Sequence, residues 1–324
     1  MRKLLILWKT ALVVALIAYS GSAAAQYPSK LIRIVVPYLA GGAADVLARI
    51  VAQKLEDAWK QPVIVENRVG ASGNIGAQFV ARAAPDGYTL MFTPPAPLAI
   101  NMFLLKEMPF DPRSAFTPVS VLGTMPNTLV VGAHSAVQNV HQLVAAAKAN
   151  LGKLTYGSQG VGTTPHLTSV MFALAAGIDI VHVPYRGFPP ILVDLLGSRL
   201  DFAFADATNM LPPLKGGQLR ALAVASRRRY FAVPNTPTMI EEGFPDFESV
   251  PWYSFAAPAG TPPEIVSKWH EELARIVKMP DVQAHFAEFG LEAWASSSAE
   301  MQQYMDSEIK RWGDVVQRSG LQKQ

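Results

Sequence analysis

Residues 156–166 read YGSQGVGTTPH, with three glycines, two threonines, a serine and a histidine in one short stretch. Leu154, Thr155 and Tyr156 lead in as an extended apolar segment, and a helical pattern leads out near Leu167. Residues 37–45, PYLAGGAAD, repeat the arrangement after the strand-like stretch 31–36. A strand-to-helix link of this kind can hold a carboxylate or phosphate without a basic side chain. The helix start presents unpaired backbone N–H groups and a positive dipole end. Glycine lets that backbone approach a ligand with no Cβ in the way. Ser158, Thr163 and Thr164 add hydroxyl donors beside Gly160, and His166 either caps the loop or reaches the ligand. Asp206 follows Leu200-Asp201-Phe202-Ala203-Phe204-Ala205 at a strand end. There it either accepts from a ligand amine or hydroxyl or caps a helix. Val183-Pro184-Tyr185 echoes Val36-Pro37-Tyr38, which makes Tyr38 and Tyr185 equivalent strand-end residues opening toward one cleft.

Covalent and nucleotide chemistry find little support. Gly160-Val161-Gly162 is followed by Thr163-Thr164-Pro165, so the third glycine of G-x-G-x-x-G is missing, and no G-x-x-x-x-G-K-[ST] occurs. Gly70-Ala71-Ser72-Gly73-Asn74 breaks the G-x-S-x-G elbow at its last position. There is no H-E-x-x-H and the six histidines are scattered, which argues against zinc. Zero cysteines exclude thiol catalysis and cysteine-ligated metal. A hydrolase built on Ser158 and His166 lacks both an elbow and an acidic partner at suitable spacing.

The elements that position these loops alternate. Strands are expected at 31–36, 62–66 and 88–92, with helices at 43–59 and 73–84 between them. A second series follows Pro126: strands at 129–131, 154–156, 180–183, 200–205 and 219–225, with helices at 140–150, 167–176 and 190–196. After a Pro- and Gly-rich stretch come a strand at 252–257 and helices at 263–278 and 298–317. Such alternation with short glycine-bearing links predicts α/β lobes with mainly parallel sheets flanked by helices. About 300 mature residues exceed one comfortable core, so two lobes with a cleft between them are expected. Lobe 1 is assigned residues 26–125 plus 251–324, which makes it discontinuous, and lobe 2 residues 126–250.

The chain opens with Arg2 and Lys3, an apolar run at 11–19 and small residues at 21–25. Basic, apolar and Ala-x-Ala regions in that order mark a secretory signal peptide, cleaved after Ala25. The run falls short of the roughly 20 apolar residues a membrane span needs. Arg2, Lys3 and Lys9 leave with the leader and no acid does, so the mature chain carries 25 basic and 25 acidic residues. A neutral mature chain gives no support for nucleic-acid binding.

Together these segments resemble a known family. They are YPSKLIRIVVPYLAGGAADVLAR, ENRVGASGNIGAQFVARAAPDGYTL, YGSQGVGTTPHLTSVMF, VPYRGFPPILVDLLGSRLDFAFAD, LRALAVAS and APAGTPPEIV. In this order they resemble the Bug family, the extracytoplasmic solute receptors of tripartite tricarboxylate transporters, over nearly the whole mature chain. The resemblance implies a type II periplasmic-binding-protein fold and a periplasmic location. It implies a small organic carboxylate held between loop 38–42 (Tyr38, Ala40, Gly41, Gly42) and loop 158–164 (Ser158, Gly160, Thr163, Thr164). It implies delivery to membrane permease subunits by a monomer, with no enzymatic activity and no cofactor. The distal side of the pocket sets specificity, and here Thr93 leads into Pro94-Pro95-Ala96-Pro97. That loop, with Thr93 and Ala96 as ligand contacts, is unusually proline-rich for the family. It should be stiff and poor in donors, which favours an aromatic or less polar monocarboxylate over a tricarboxylate. The same closed form would also serve a ligand-loaded sensor docking on a histidine-kinase receptor domain.

Overall fold

The computed structural model describes residues 27–323. The expected leader, 1–25, lies outside them. In chain order the elements open with β1 (Ile32–Val36), α1 (Ala43–Trp59), β2 (Val63–Asn67), α2 (Asn74–Ala81), β3 (Thr89–Thr93), α3 (Asn101–Leu104), α4 (Pro112–Ala115) and β4 (Phe116–Thr124). Then come β5 (Thr128–Gly132), α5 (Val140–Ala149), β6 (Thr155–Ser158), α6 (Thr164–Ala176), β7 (Val181–Pro184), α7 (Phe188–Leu196), β8 (Phe202–Ala205), α8 (Ala207–Lys215) and β9 (Leu219–Val224). The chain closes with β10 (Trp252–Pro258), α9 (Pro263–Val277), α10 (Pro280–Glu288), β11 (Glu292–Ala293) and α11 (Ser298–Ser319).

Local chemistry explains the main elements. β1 buries Ile32, Ile34, Val35 and Val36, the near-continuous apolar run of a strand covered on both faces. α1 buries Leu47, Val51 and Leu55 at four-residue spacing, carries Asp45 in its first turn, and stops where Lys60 turns left-handed. α11 starts at a capping box between Ser297 and Glu300 and buries Met301, Met305, Trp312 and Val316 on one face.

The strands form two sheets, ordered β11-β4-β10-β3-β1-β2 and β7-β6-β8-β5-β9. Both are mixed. β1 runs parallel to β2 and β3, and β6 parallel to β7 and β8. β10 runs antiparallel to β3 and β4, and β5 antiparallel to β8 and β9. The antiparallel pairs arise because the chain crosses between sheets and returns. β4 continues almost directly into β5 through Met125, Pro126 and Asn127, and the chain re-enters the first sheet at β10. At the crossing, Met125 N donates to Pro251 O at 2.9 Å and Asn127 N to Ser249 O at 3.0 Å. The Asn127 amide, wholly buried, ties Thr168 Oγ1 at 2.9 Å and Ser249 Oγ at 3.1 Å. Crossing strands paired in this way form a waist whose main-chain hydrogen bonds are made, while Asn127 Oδ1 and Thr128 Oγ1 find no partner among the described residues. The parallel strands β1, β3, β6 and β8 end facing the cleft, where open α/β sheets bind ligands.

Candidate functional site

The two glycine loops satisfy most of their own donors. Gly41 N donates to Asp45 Oδ2 at 2.9 Å and Gly42 N to Leu39 O at 3.3 Å. Gly160 N donates to Ser158 Oγ at 3.2 Å, Gly162 N to His166 Nδ1 at 3.3 Å, and Thr163 N to Gly160 O at 3.3 Å. Thr163 Oγ1 also donates to Gly160 O, at 2.7 Å. An anion at this loop therefore meets the N–H groups of Gln159, Val161 and Thr164, for which the described residues supply no acceptor. Gly41, Gly160 and Gly162 have φ of +80°, +127° and +84°, the left-handed side that glycine tolerates. Among the described residues no lysine or arginine is buried, and Arg186 is exposed.

The lobes touch through a segment the sequence reading passed over. Residues 70–73 take four successive positive φ values, from +137° at Gly70 through +46° at Ala71 and +51° at Ser72 to +95° at Gly73. This puts Ser72 Oγ 2.5 Å from Val161 O, across the cleft. Ser72 O in turn accepts from Asn101 Nδ2 at 3.0 Å and from Tyr38 Oη at 3.3 Å. A Cβ on Gly162 would stand 2.8 Å from Asn101 Oδ1. In the sequence Gly70-Ala71-Ser72-Gly73 stands out as a broken catalytic motif and as part of a family-like segment, and neither signals a contact between lobes.

Strand ends supply the remaining wall. Thr93 and Ser254 are paired in β3 and β10 and both are wholly buried. Thr93 Oγ1 donates to Pro94 O at 2.9 Å, while Ser254 Oγ has no partner. Ala96 is buried in the turn that follows. Asp206 is 7% exposed. It caps α8 by accepting from Asn209 N at 3.1 Å and from Asn209 Nδ2 at 2.8 Å. Burial pushes its carboxyl above the ordinary range, with hydrogen bonds from Asn209 and Gln159 pulling back. Tyr253 is 4% exposed. Burial drives its hydroxyl pKa well up, helped by the charges of Asp206 and Tyr38. Burial likewise raises the Tyr38 hydroxyl.

Two candidates turn elsewhere. Tyr185 Oη donates to Asp194 Oδ2 at 2.5 Å, on α7. Burial and this carboxylate push its hydroxyl up to about 12. His166 sits beneath the loop rather than on its ligand side. Its ring lies 4.3 Å from that of His182, which stacks on Tyr156 at 4.9 Å. His182, not His166, reaches Ser158, with Nε2 2.6 Å from Oγ. Burial lowers His182 to about 4, and burial with the adjacent His182 lowers His166 to about 3. A base of that kind, with no carboxylate bonded to it among the described residues, is a poor activator of a serine nucleophile.

Two α/β lobes on crossing strands, with strand-end loops of both lobes meeting across a cleft, define the periplasmic-binding-protein class. Residues 47–321 match the family model described as Tripartite tricarboxylate transporter family receptor. The chain belongs to that family. It is 35% identical over 295 residues to Protein BugT of Bordetella pertussis, covering 91% of this chain and 90% of that one. Among solved structures it resembles Rpa4515 of R. palustris with adipate, at a TM-score of 0.88 and 34% identity over 92% of this chain and 100% of that one. It also resembles MatC of Rhodopseudomonas palustris with bound malate, at a TM-score of 0.82 and 28% identity over 90% and 100% of the two chains. The family is one of solute-binding receptors, a non-catalytic class.

Proposed function

We propose that the protein is a periplasmic receptor that closes its lobes on a small organic carboxylate and delivers it to the permease subunits of a tripartite tricarboxylate transporter. It acts as a monomer, without turnover or cofactor, after a leader cleaved behind Ala25 has exported it. Lobe 1 comprises residues 26–125 and 251–324, and lobe 2 residues 126–250.

One observation carries the reading. The walls of the cleft hold hydroxyls, loop N–H groups and the start of α6, and among the described residues no buried cation. Such walls suit a carboxylate held by dipoles. The relatives solved with adipate and malate point to the same ligand class. Tyr38, Ala40, Gly41, Gly42, Ser158, Gly160, Thr163 and Thr164 form the carboxylate end, with Asp206 at the side.

Apart from Ser254 Oγ, the distal wall is poor in donors. Pro94, Pro95 and Pro97 have no N–H, and the N–H groups of Leu98 and Ala99 are spent on Pro95 O. The Thr93 hydroxyl is spent on Pro94 O. A ligand with one carboxylate and an apolar or aromatic remainder fits this wall better than a tricarboxylate.

A thermal-shift panel of nicotinate, benzoate, adipate, malate and citrate tests both points. A ligand at 100 times its Kd stabilises by about 2.7 kcal/mol, which amounts to several degrees in Tm. At least one acid should reach that shift, and an aromatic monocarboxylate should exceed citrate at equal concentration. No shift with any acid defeats the receptor reading, and citrate ahead of the aromatic acids defeats the account of the distal wall.

A further inference from the structure

A second cavity lies beside the glycine loop, where α6 faces Leu104 and the C-terminal segment. It measures about 540 Å³, within the range of small-molecule sites. Val170, Ala173 and Leu174 of α6 form one wall, and Leu104 and Leu321 of the first-sheet side form the other. Tyr156, His166 and His182 line it as well.

His166 sets the chemistry of this cavity. It is 3% exposed. Its Nδ1 accepts from Gly162 N, so the ring proton sits on Nε2, for which the described residues supply no acceptor. Nε2 keeps some exposure to solvent, so its N–H can reach an acceptor that enters the cavity.

Charge narrows the occupant. Both histidines are held neutral at physiological pH, largely by burial. Among the described residues Asp179 is the one charged side chain on the lining. An anion entering here would meet no cation and one carboxylate. The cleft's own ligand class is therefore disfavoured in this second cavity.

We propose that this cavity is a ligand site for a small, uncharged, largely apolar molecule carrying one oxygen acceptor. The apolar body lies against α6, Leu104 and Leu321, and the oxygen accepts from His166 Nε2. The same ring pair holds the loop from behind, through Gly162 N to His166 and Ser158 Oγ to His182. Occupancy is thus felt at Gly162. The proposal does not depend on which acid the cleft binds, but its two walls belong to the two lobes, so it is read in the closed form.

Phenol is the probe, because it is uncharged at pH 7 and compact, and its oxygen accepts. Titrated into the isotope-labelled mature chain, it should shift the amide resonances of Ala173, Leu174, Gly177, Ile180 and Leu321 saturably, with a smaller response at Gly162. Benzoate at pH 7 should act on those amides at least tenfold more weakly. Ala173→Trp fills the cavity from a half-exposed helix position and should weaken the phenol response at least tenfold. Leu321→Arg, in the C-terminal segment, gives the same reading should the tryptophan disturb the fold. The proposal is overturned by the absence of saturable shifts at these amides, by shifts confined to cleft residues such as Thr93 and Asp206, by benzoate matching phenol, or by a response unchanged in the folded variants.

Discussion

Gly162 matters for the space beside it as well as for its backbone angle. With φ at +84°, any side chain is strained there, and a Cβ would press within 2.8 Å of Asn101 Oδ1 on the other lobe. Gly162→Val should therefore hold the lobes apart. We expect affinity for the acid chosen by the thermal panel to fall at least about 100-fold, or about 2.7 kcal/mol, with far-UV circular dichroism unchanged. Arg186→Ala, at an exposed position, should change it by less than about 1 kcal/mol. Isothermal titration of the two variants decides, and the reverse ranking would mean that a salt bridge holds the anion. Asp206 gives a second prediction. A carboxyl whose folded pKa is raised stabilises the fold at low pH and loses that contribution as pH rises through the folded value. Asn is an equally good helix cap and stays neutral at every pH. The Tm of Asp206→Asn relative to wild type should thus be higher at pH 7 than at pH 4. A difference independent of pH would mean that burial does not raise the carboxyl's pKa. Asp206, at the end of an apolar strand, was legible from sequence as either a cap or a ligand contact. The structure shows the cap directly, and the same carboxyl remains the proposed contact.

At the scale of elements, legibility followed periodicity. The helix expected at 43–59 coincides with α1 because its apolar residues recur at helical spacing behind an acidic first turn. β4 escaped the sequence reading. Pro118 and Gly123 interrupt it, and burial of most of its residues removes the alternation that would reveal a strand. α8 escaped because Pro212 and Pro213 sit inside it, and only the Asp206 cap marks its start. Loop 70–73 was opaque for another reason. Its importance lies in left-handed angles at Ala71 and Ser72, residue types that do not announce them. The pairing of β6 with β7 has a consequence of its own. Parallel register places Tyr156 beside His182, and α6 lays His166 over them. A histidine whose folded pKa is depressed stabilises the fold above its unfolded value of about 6.5 and loses that contribution as pH falls. Wild-type stability should accordingly decline between about pH 6.5 and 4. Of the six histidines, the ring proton resonances of His166 and His182 should not titrate between pH 8 and 5. Midpoints near 6.5 for both would show that the stack is open to water.

The whole molecule turns on the crossing between the sheets. Sequence patterning reached two series of strands because each alternates with helices. It did not reach the mixed sheets, because the direction of β10 and β5 follows from the path of the chain between lobes rather than from any local pattern. That path leaves few backbone connections across the waist, among them Met125 to Pro251 and Asn127 to Ser249. Motion about so narrow a bonded waist is of the hinge type, in which rigid lobes rotate and secondary structure is conserved. α11 bears on the same motion, since it packs on β4 of the first sheet and touches α6 of the second lobe. The contacts of Ser72 with Val161 and of Gly162 with the Asn101 side belong to the lobes held together. In solution, the acid selected by the thermal panel should therefore shift small-angle scattering toward the curve calculated from this structure. The radius of gyration should fall, with circular dichroism constant. In Gly162→Val the same acid should leave the larger radius in place even at concentrations that saturate wild type. Identical curves for wild type with and without a confirmed ligand would show that binding needs no hinge. A variant that still contracts would move the closing contact away from Gly162 and leave Ser72 as the residue to test.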